Sequence, residues 1–273
     1  MLAVATHQVN EFGGWRLAAD SLSLHPVRRL FTMVVEYKNT VMIKAVFFDL
    51  YHTLIHYRPS QEELEADALK SLGVETAAAA LRLPILKANE FIYSHIAKKP
   101  LSQRSKEEVM ALYSGYQRVV LKEAGIAADE KIVMRLLGIM QQVKMDLVLF
   151  NDVIPALDAL KKRGLTVGLL SNIEQDMTAT LGKLGLTPKL DIIVTSQDAG
   201  FSKPRPEIFR YALDKAGVDA SDAVYVGDQY QVDIIGAKGA GMRGILIDRD
   251  NYHQEKLDCI KITSLTELTD YLA

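Results

Sequence analysis

The stretch Val46-Phe47-Phe48-Asp49-Leu50-Tyr51-His52-Thr53-Leu54 decides the fold. An apolar run ends abruptly in an aspartate, the pattern of a buried strand whose last residue is a carboxylate. In open α/β sheets, ligands sit outside the carboxyl ends of the strands. Asp49 is therefore a candidate for chemistry, set against the plainer reading of a strand-terminal Asp that only caps a turn or a helix.

Working outward, the chain changes period on both sides. From 61 to 146 apolar residues recur at three and four: Leu64, Ala68 and Leu72, then Leu86, Phe91 and Ile92, then Val109, Leu112 and Tyr116, then Ile132, Val133 and Leu136. That is helical spacing, punctuated by Gly73, Pro100 and Gly125, and it predicts a small bundle of helices. From Asn151 apolar strands alternate with helices: helix 153–163 closed by Gly164, strand 166–170, helix 175–184, strand 191–195, helix 206–216, strand 223–227, helix 232–240 and strand 244–247. Near-continuous apolar strands alternating with helices mean a parallel sheet covered on both faces, wound right-handed. The expected fold is α/β, a doubly wound, Rossmann-like parallel sheet with an α-helical bundle inserted as a cap. Its expected parts are a core over 42–57 and 148–273 and a cap over 58–147.

Residues 1–41 show no sustained period, and neither a secretory signal nor an acid-poor transit peptide is present. Met42 is read as the functional start, with 1–41 a disordered leader or an over-called reading frame; an extra element packed on the core is the alternative. The 273 residues are 49% hydrophobic and 24% charged, with formal net charge -2, which carries no nucleic-acid or membrane footprint. Cys259 is the only cysteine, so no intramolecular disulfide forms, and the chain fits a reducing cytoplasmic setting. The expected partner is a small molecule; the oligomeric state is not legible.

Each strand hands over to polar residues: Asp49, then Ser171-Asn172 just before a helix, then Lys203 in Ser202-Lys203-Pro204-Arg205-Pro206, then Gly227-Asp228 with Asp233 behind it. Right-handed winding brings these ends to one edge of the sheet. Crowded carboxylates repel unless a cation sits among them, and an all-oxygen set suits Mg²⁺ better than zinc. A carboxylate attacks a phosphoryl group to give an aspartyl-phosphate, and a lysine beside it offsets the repulsion between anions. The plainer readings are a solvated loop lysine for Lys203, an N-cap for Ser171, and a first-turn acid for Asp233.

These motifs, in this order, resemble the haloacid dehalogenase-like (HAD) superfamily, in the branch with a helical cap inserted after the first strand. The resemblance covers about residues 42–250. It implies Asp49 as nucleophile, with Ser171, Asn172 and Lys203 holding the phosphoryl group. It implies Mg²⁺ held by Asp49, the backbone carbonyl of Tyr51 and Asp228, with Asp233 either a further ligand or a support behind the ligands, and a cap that closes as a lid. The chain departs from the pattern at one place. Phosphatases of this superfamily carry a second Asp two residues after the nucleophile and then a Gly; here Tyr51 and His52 stand there. A free Tyr, with pKa near 10, is a poor base at neutral pH, and losing a positioned acid/base costs on the order of 10²–10⁴ in rate.

Three readings follow. The first is a Mg²⁺-dependent phosphatase of a small phosphorylated metabolite that manages without that Asp, using Tyr51 as the catalytic candidate, His52, or a substrate with a good leaving group. The second is a metal-free 2-haloacid dehalogenase, a branch that also carries Tyr at this place; the Asp228/Asp233 pair argues against it. The third is a binding or regulatory protein on the same fold. His52 and His56 are read as turn or packing residues, and Tyr93, His95 and Tyr116 as core or rim of the bundle.

Overall fold

The computed structural model describes residues 8–9, 15–16, 42–127, 129–174, 176–254 and 258–272. The chain divides into two units, Met1–Thr40 and Val41–Ala273, each taken by itself. In the first, β1 (Gln8–Val9) pairs antiparallel with β2 (Trp15–Arg16). Apart from that pair, the expected leader lies outside the described residues.

The second unit opens with β3 (Ala45–Phe48), which carries the deciding stretch. Its side chains alternate between the two cores of the sheet: Val46 and Phe48 face one, Ala45 and Phe47 the other, and all four are buried. The chain then leaves the sheet through β4 (Ile55–Arg58) and returns through β5 (Asp146–Leu149). These two strands pair antiparallel, Ile55 opposite Leu149, and form the stem of the inserted cap. The sequence reading missed this stem, which is built of short strands.

Between them lie α1 (Gln61–Ser71), α2 (Ala78–Lys98), α3 (Lys106–Glu123) and α4 (Glu130–Met140). Ser60 and Ser105 start α1 and α3 with capping boxes, closed by Glu63 and Glu108, and Asp129 caps α4. Helix α2 runs through Pro84, so it begins well before the apolar period that starts at Leu86. Leu69, Leu81, Val120 and Leu136 meet in a core of the cap's own, each burial favouring folding by roughly 1.5–3 kcal/mol.

The rest completes the sheet: α5 (Val153–Lys162), β6 (Thr166–Ser171), α6 (Thr178–Lys183), β7 (Ile192–Thr195), α7 (Ser196–Ala199), α8 (Pro206–Ala216), β8 (Ala223–Gly227), α9 (Ile235–Gly239), β9 (Arg243–Ile247) and β10 (Ile260–Ile262). Six parallel strands run in the order β10-β9-β8-β3-β6-β7. This is the expected doubly wound parallel sheet with an inserted helical bundle. The edge strand β10 was not expected. Helix α6 begins later than expected, at Thr178, with Gln175 outside the described residues. The expected helix at 232–240 splits into a π-turn (Tyr230–Ile234) followed by α9.

From β3 the chain moves to β6 and β7 on one side, then crosses back to β8 and out on the other. The order reverses at β3, so the crevice beyond its carboxyl end is the place where such sheets bind ligands. Asp49 follows β3 there, its N–H bonded to the carbonyl of Val226 on β8 at 2.9 Å.

Candidate active site

Asp49 is buried, and two donors converge on its Oδ1. Ser171 Oγ, at the end of β6, donates at 3.1 Å, and Lys203 Nζ donates at 2.7 Å. No described residue donates to Oδ2.

Lys203 is buried completely, and each of its three N–H bonds has an acceptor: Asp49 Oδ1, Asp233 Oδ1 at 2.7 Å and the Tyr225 hydroxyl at 2.8 Å. The Tyr225 hydroxyl in turn donates to the carbonyl of Leu170 at 2.8 Å. Burial alone would lower the Lys203 ammonium, but Asp233 and Asp49 outweigh it and hold the group charged, above the ordinary lysine value. Tyr225 escaped the sequence reading because it sits inside an apolar strand. The available signal was a tyrosine in a buried run, whose hydroxyl must find a partner.

Asn172 grips the backbone of Lys203 from both sides: its Oδ1 accepts from Lys203 N at 2.7 Å, and its Nδ2 donates to Lys203 O at 3.0 Å. Its side chain is thus engaged with the lysine loop, a contact the sequence reading did not foresee. Ser171 is likewise not a helix cap. It ends β6, and α6 begins only after Met177.

Asp228 and Asp233 come from the turn after β8. Asp233 Oδ2 accepts from Gln229 N at 3.0 Å, so both its oxygens are held. A Cβ on Gly227 would lie 2.3 Å from the Asp233 carboxyl, so the glycine of this signature is what lets that carboxylate approach the sheet. Asp228 Oδ1 is buried with no partner. Burial first, then Asp233 and Asp49, push the Asp228 carboxyl well above the usual range. Carboxylate oxygens of Asp49, Asp228 and Asp233 lie within 4.8 Å of one another. One ammonium cannot balance three carboxylates, and the unpartnered oxygen of Asp228 is a donor atom available to a cation. An all-oxygen donor set of this kind fits Mg²⁺.

The loop after Asp49 holds the departures from the pattern. Tyr51 is half-buried and stacks on Tyr57 with centroids 5.9 Å apart. Burial, then Asp49, raise its hydroxyl above the ordinary value, so it stays protonated at neutral pH. His52 has φ 58, in the left-handed region that favours glycine, which accounts for the glycine of the general pattern. Burial lowers the His52 imidazole, its Nε2 has no partner, and it is therefore neutral at pH 7. Behind this loop Arg249 pairs with both oxygens of Asp152, donates to the carbonyl of Thr53 at 2.7 Å, and lies 3.8 Å from the ring centroid of Phe150 at the end of the cap stem.

A Rossmann-like sheet, a helical cap inserted after the first core strand and a carboxylate cluster at the switch point are the marks of a capped hydrolase built on an α/β core. Residues 43–241 match the family model described as haloacid dehalogenase-like hydrolase, and the chain belongs to that family. A glyceraldehyde 3-phosphate phosphatase of Methanopyrus kandleri is 30% identical over 219 residues, covering 77% of this chain and 86% of that one. The haloacid dehalogenase-like hydrolase domain-containing protein 3 of Danio rerio is 38% identical over 109 residues, a match that spans 40% of this chain and 45% of that relative. Among solved structures, the magnesium-bound HAD-hydrolase YfnB of Bacillus subtilis superposes with TM-score 0.56 at 18% identity, over 85% of this chain and 99% of that one, which is a likeness of fold. Among the described residues no helix is long and apolar enough to cross a membrane.

Proposed function

We propose that the chain is a Mg²⁺-dependent phosphatase of a small phosphorylated metabolite, working through an aspartyl-phosphate on Asp49. The observation that carries the reading is the asymmetry of Asp49: Oδ1 is held by Lys203 and Ser171, Oδ2 accepts from no described residue, and Asp228 of the same carboxylate cluster keeps an unpartnered oxygen. The likeness to the Methanopyrus kandleri glyceraldehyde 3-phosphate phosphatase and to the magnesium-bound YfnB supports it.

In this account Lys203 positions Asp49 and Asp233 and sets a positive charge beside the attacking carboxylate. Its three protons are engaged and the one proton of Ser171 goes to Asp49, so either side chain meets a phosphoryl oxygen only by releasing a present acceptor. Asp49 and Asp228, with Asp233 and the carbonyl of Tyr51, would hold Mg²⁺. The ion would supply charge neutralisation between the attacking carboxylate and the phosphoryl oxygens. Tyr51, protonated, would be the donor to the leaving oxygen and is a poor base for the second step.

The test is an assay pair. An aryl phosphate with and without Mg²⁺ should release phosphate only with the ion, and Asp49→Asn should abolish release. The second arm is 2-chloropropionate without metal: chloride release there would replace this reading with the dehalogenase one. Silence in both arms with Mg²⁺ still bound would favour a binding protein.

A further inference from the structure

Between the cap and the carboxyl edge of the sheet lies a cavity of about 760 Å³, with Asp228 on its wall. Pockets of roughly 300–1,000 Å³ enclose ligands of drug size, far larger than a three-carbon ester. Rings supply much of the lining: His52, Tyr93, Phe150, Tyr230, Tyr252 and His253. They come from both sides of the cleft, Tyr93 from cap helix α2 and Tyr230 from the turn after β8. The hydroxyl of Tyr230 is tied to Asp258, which fixes that ring in place. Tyr252 and His253 pack edge to face, with centroids 4.9 Å apart.

The charges around the cavity are largely neutralised by one another. Arg205 pairs with Glu207 at 2.7 Å and Arg249 with Asp152 at 2.8 Å, while Arg82 pairs with Asp250. Asp248 accepts the backbone N–H groups of Tyr252 and His253. Lys98 is exposed on the cap side. Such a lining suits an uncharged flat group and offers little to a second phosphate, which asks for forked or clustered cations.

We infer that the leaving group of the substrate carries a flat heteroaromatic ring system, of the kind found in a nucleoside 5′-monophosphate, and that this ring lodges between Tyr93 and Tyr230 with the phosphoryl group at Asp49. The inference rests on the phosphatase reading for its chemistry and on the cavity for its substrate class. Sequence reading had placed Tyr93 in the core or rim of the bundle; its position on the cavity wall gives it this further role.

The test is binding without turnover. Methylene-phosphonate analogues, in which carbon replaces the bridging oxygen, are titrated into the wild-type protein with Mg²⁺ by calorimetry. They correspond to a nucleoside 5′-monophosphate, glyceraldehyde 3-phosphate and ribulose 1,5-bisphosphate. The nucleoside analogue should bind about tenfold tighter than either other, and Tyr230→Leu and Tyr93→Leu should each reduce that ratio severalfold, as base–aromatic stacking requires. A triose or bisphosphate analogue that binds as tightly, or a ratio that survives both substitutions, would overturn the inference. A ring preference without Mg²⁺-dependent release of phosphate from any ester would instead remove the phosphatase reading and leave the cavity's preference standing.

Discussion

Lys203 Nζ lies 2.7 Å from Asp49 Oδ1 and, on its other side, 2.7 Å from Asp233 Oδ1, with all three side chains buried. The lysine is thus the shared counter-ion of two carboxylates that would otherwise repel. Lys203→Met should destabilise the fold by about 3–5 kcal/mol, because it strands two buried anions. Urea titration of the metal-free protein checks this. A loss of activity with unchanged stability would mean that Lys203 serves the substrate alone.

Gly227 is a spacer for Asp233. Gly227→Ala places a methyl 2.3 Å from the carboxyl carbon, and that carboxylate is held at both oxygens. The expected cost is about 1–3 kcal/mol of stability, with a sharp loss of Mg²⁺ affinity in titration. An alanine variant that binds Mg²⁺ as the wild type does would show that Asp233 has room to shift.

Tyr51 occupies the place of the missing acid/base. Tyr51→Asp should raise phosphatase turnover, by up to about 10²-fold if proton transfer limits the rate. The measurement is steady-state kcat against pH on an alkyl phosphate, where protonating the leaving group matters most. A fall in kcat would show that the tyrosine itself takes part or that its stacking on Tyr57 shapes the loop.

Within the cap, Glu65 is buried with Oε1 unpartnered and only a long contact, 3.4 Å, from Gln117. Burial pushes its carboxyl up from 4.5 to about 7, against the small opposing effect of Gln117. The folded protein therefore binds more protons than the unfolded chain between those values, so stability falls as pH rises through the window. The penalty is absent below about 4.5, complete above about 7, and on the order of 3 kcal/mol. Glu65→Gln should abolish this slope, gaining on the wild type as pH rises from 5 to 8 in chemical denaturation. Parallel curves for the two proteins would contradict it.

Much of the fold was legible because its signals are local. The alternation of apolar strands with helices, the helical period of the insertion and the polar residues at the strand ends of β3, β6 and β8 all lie in contiguous sequence. The stem strands β4 and β5 and the edge strand β10 were not legible, since three or four residues show no dependable period. Spacing placed Asp49, Lys203, Asp228 and Asp233 at one edge, but it could not show which oxygen each donor would choose. The Tyr225 hydroxyl, the grip of Asn172 on Lys203 and the Arg249–Asp152 tie are contacts between segments distant in sequence. The reading of Ser171 as a helix cap failed because an irregular segment intervenes before α6.

The central claim is covalent chemistry at Asp49, and the most direct measurement is a rapid acid quench. The protein is mixed with Mg²⁺ and an aryl phosphate, stopped during the first turnover, and mapped by peptide mass. The account predicts a phosphoryl group on the peptide that carries Asp49, and none in Asp49→Asn. Turnover of the aryl phosphate without any phosphorylated Asp49, or release that persists in Asp49→Asn, would contradict it.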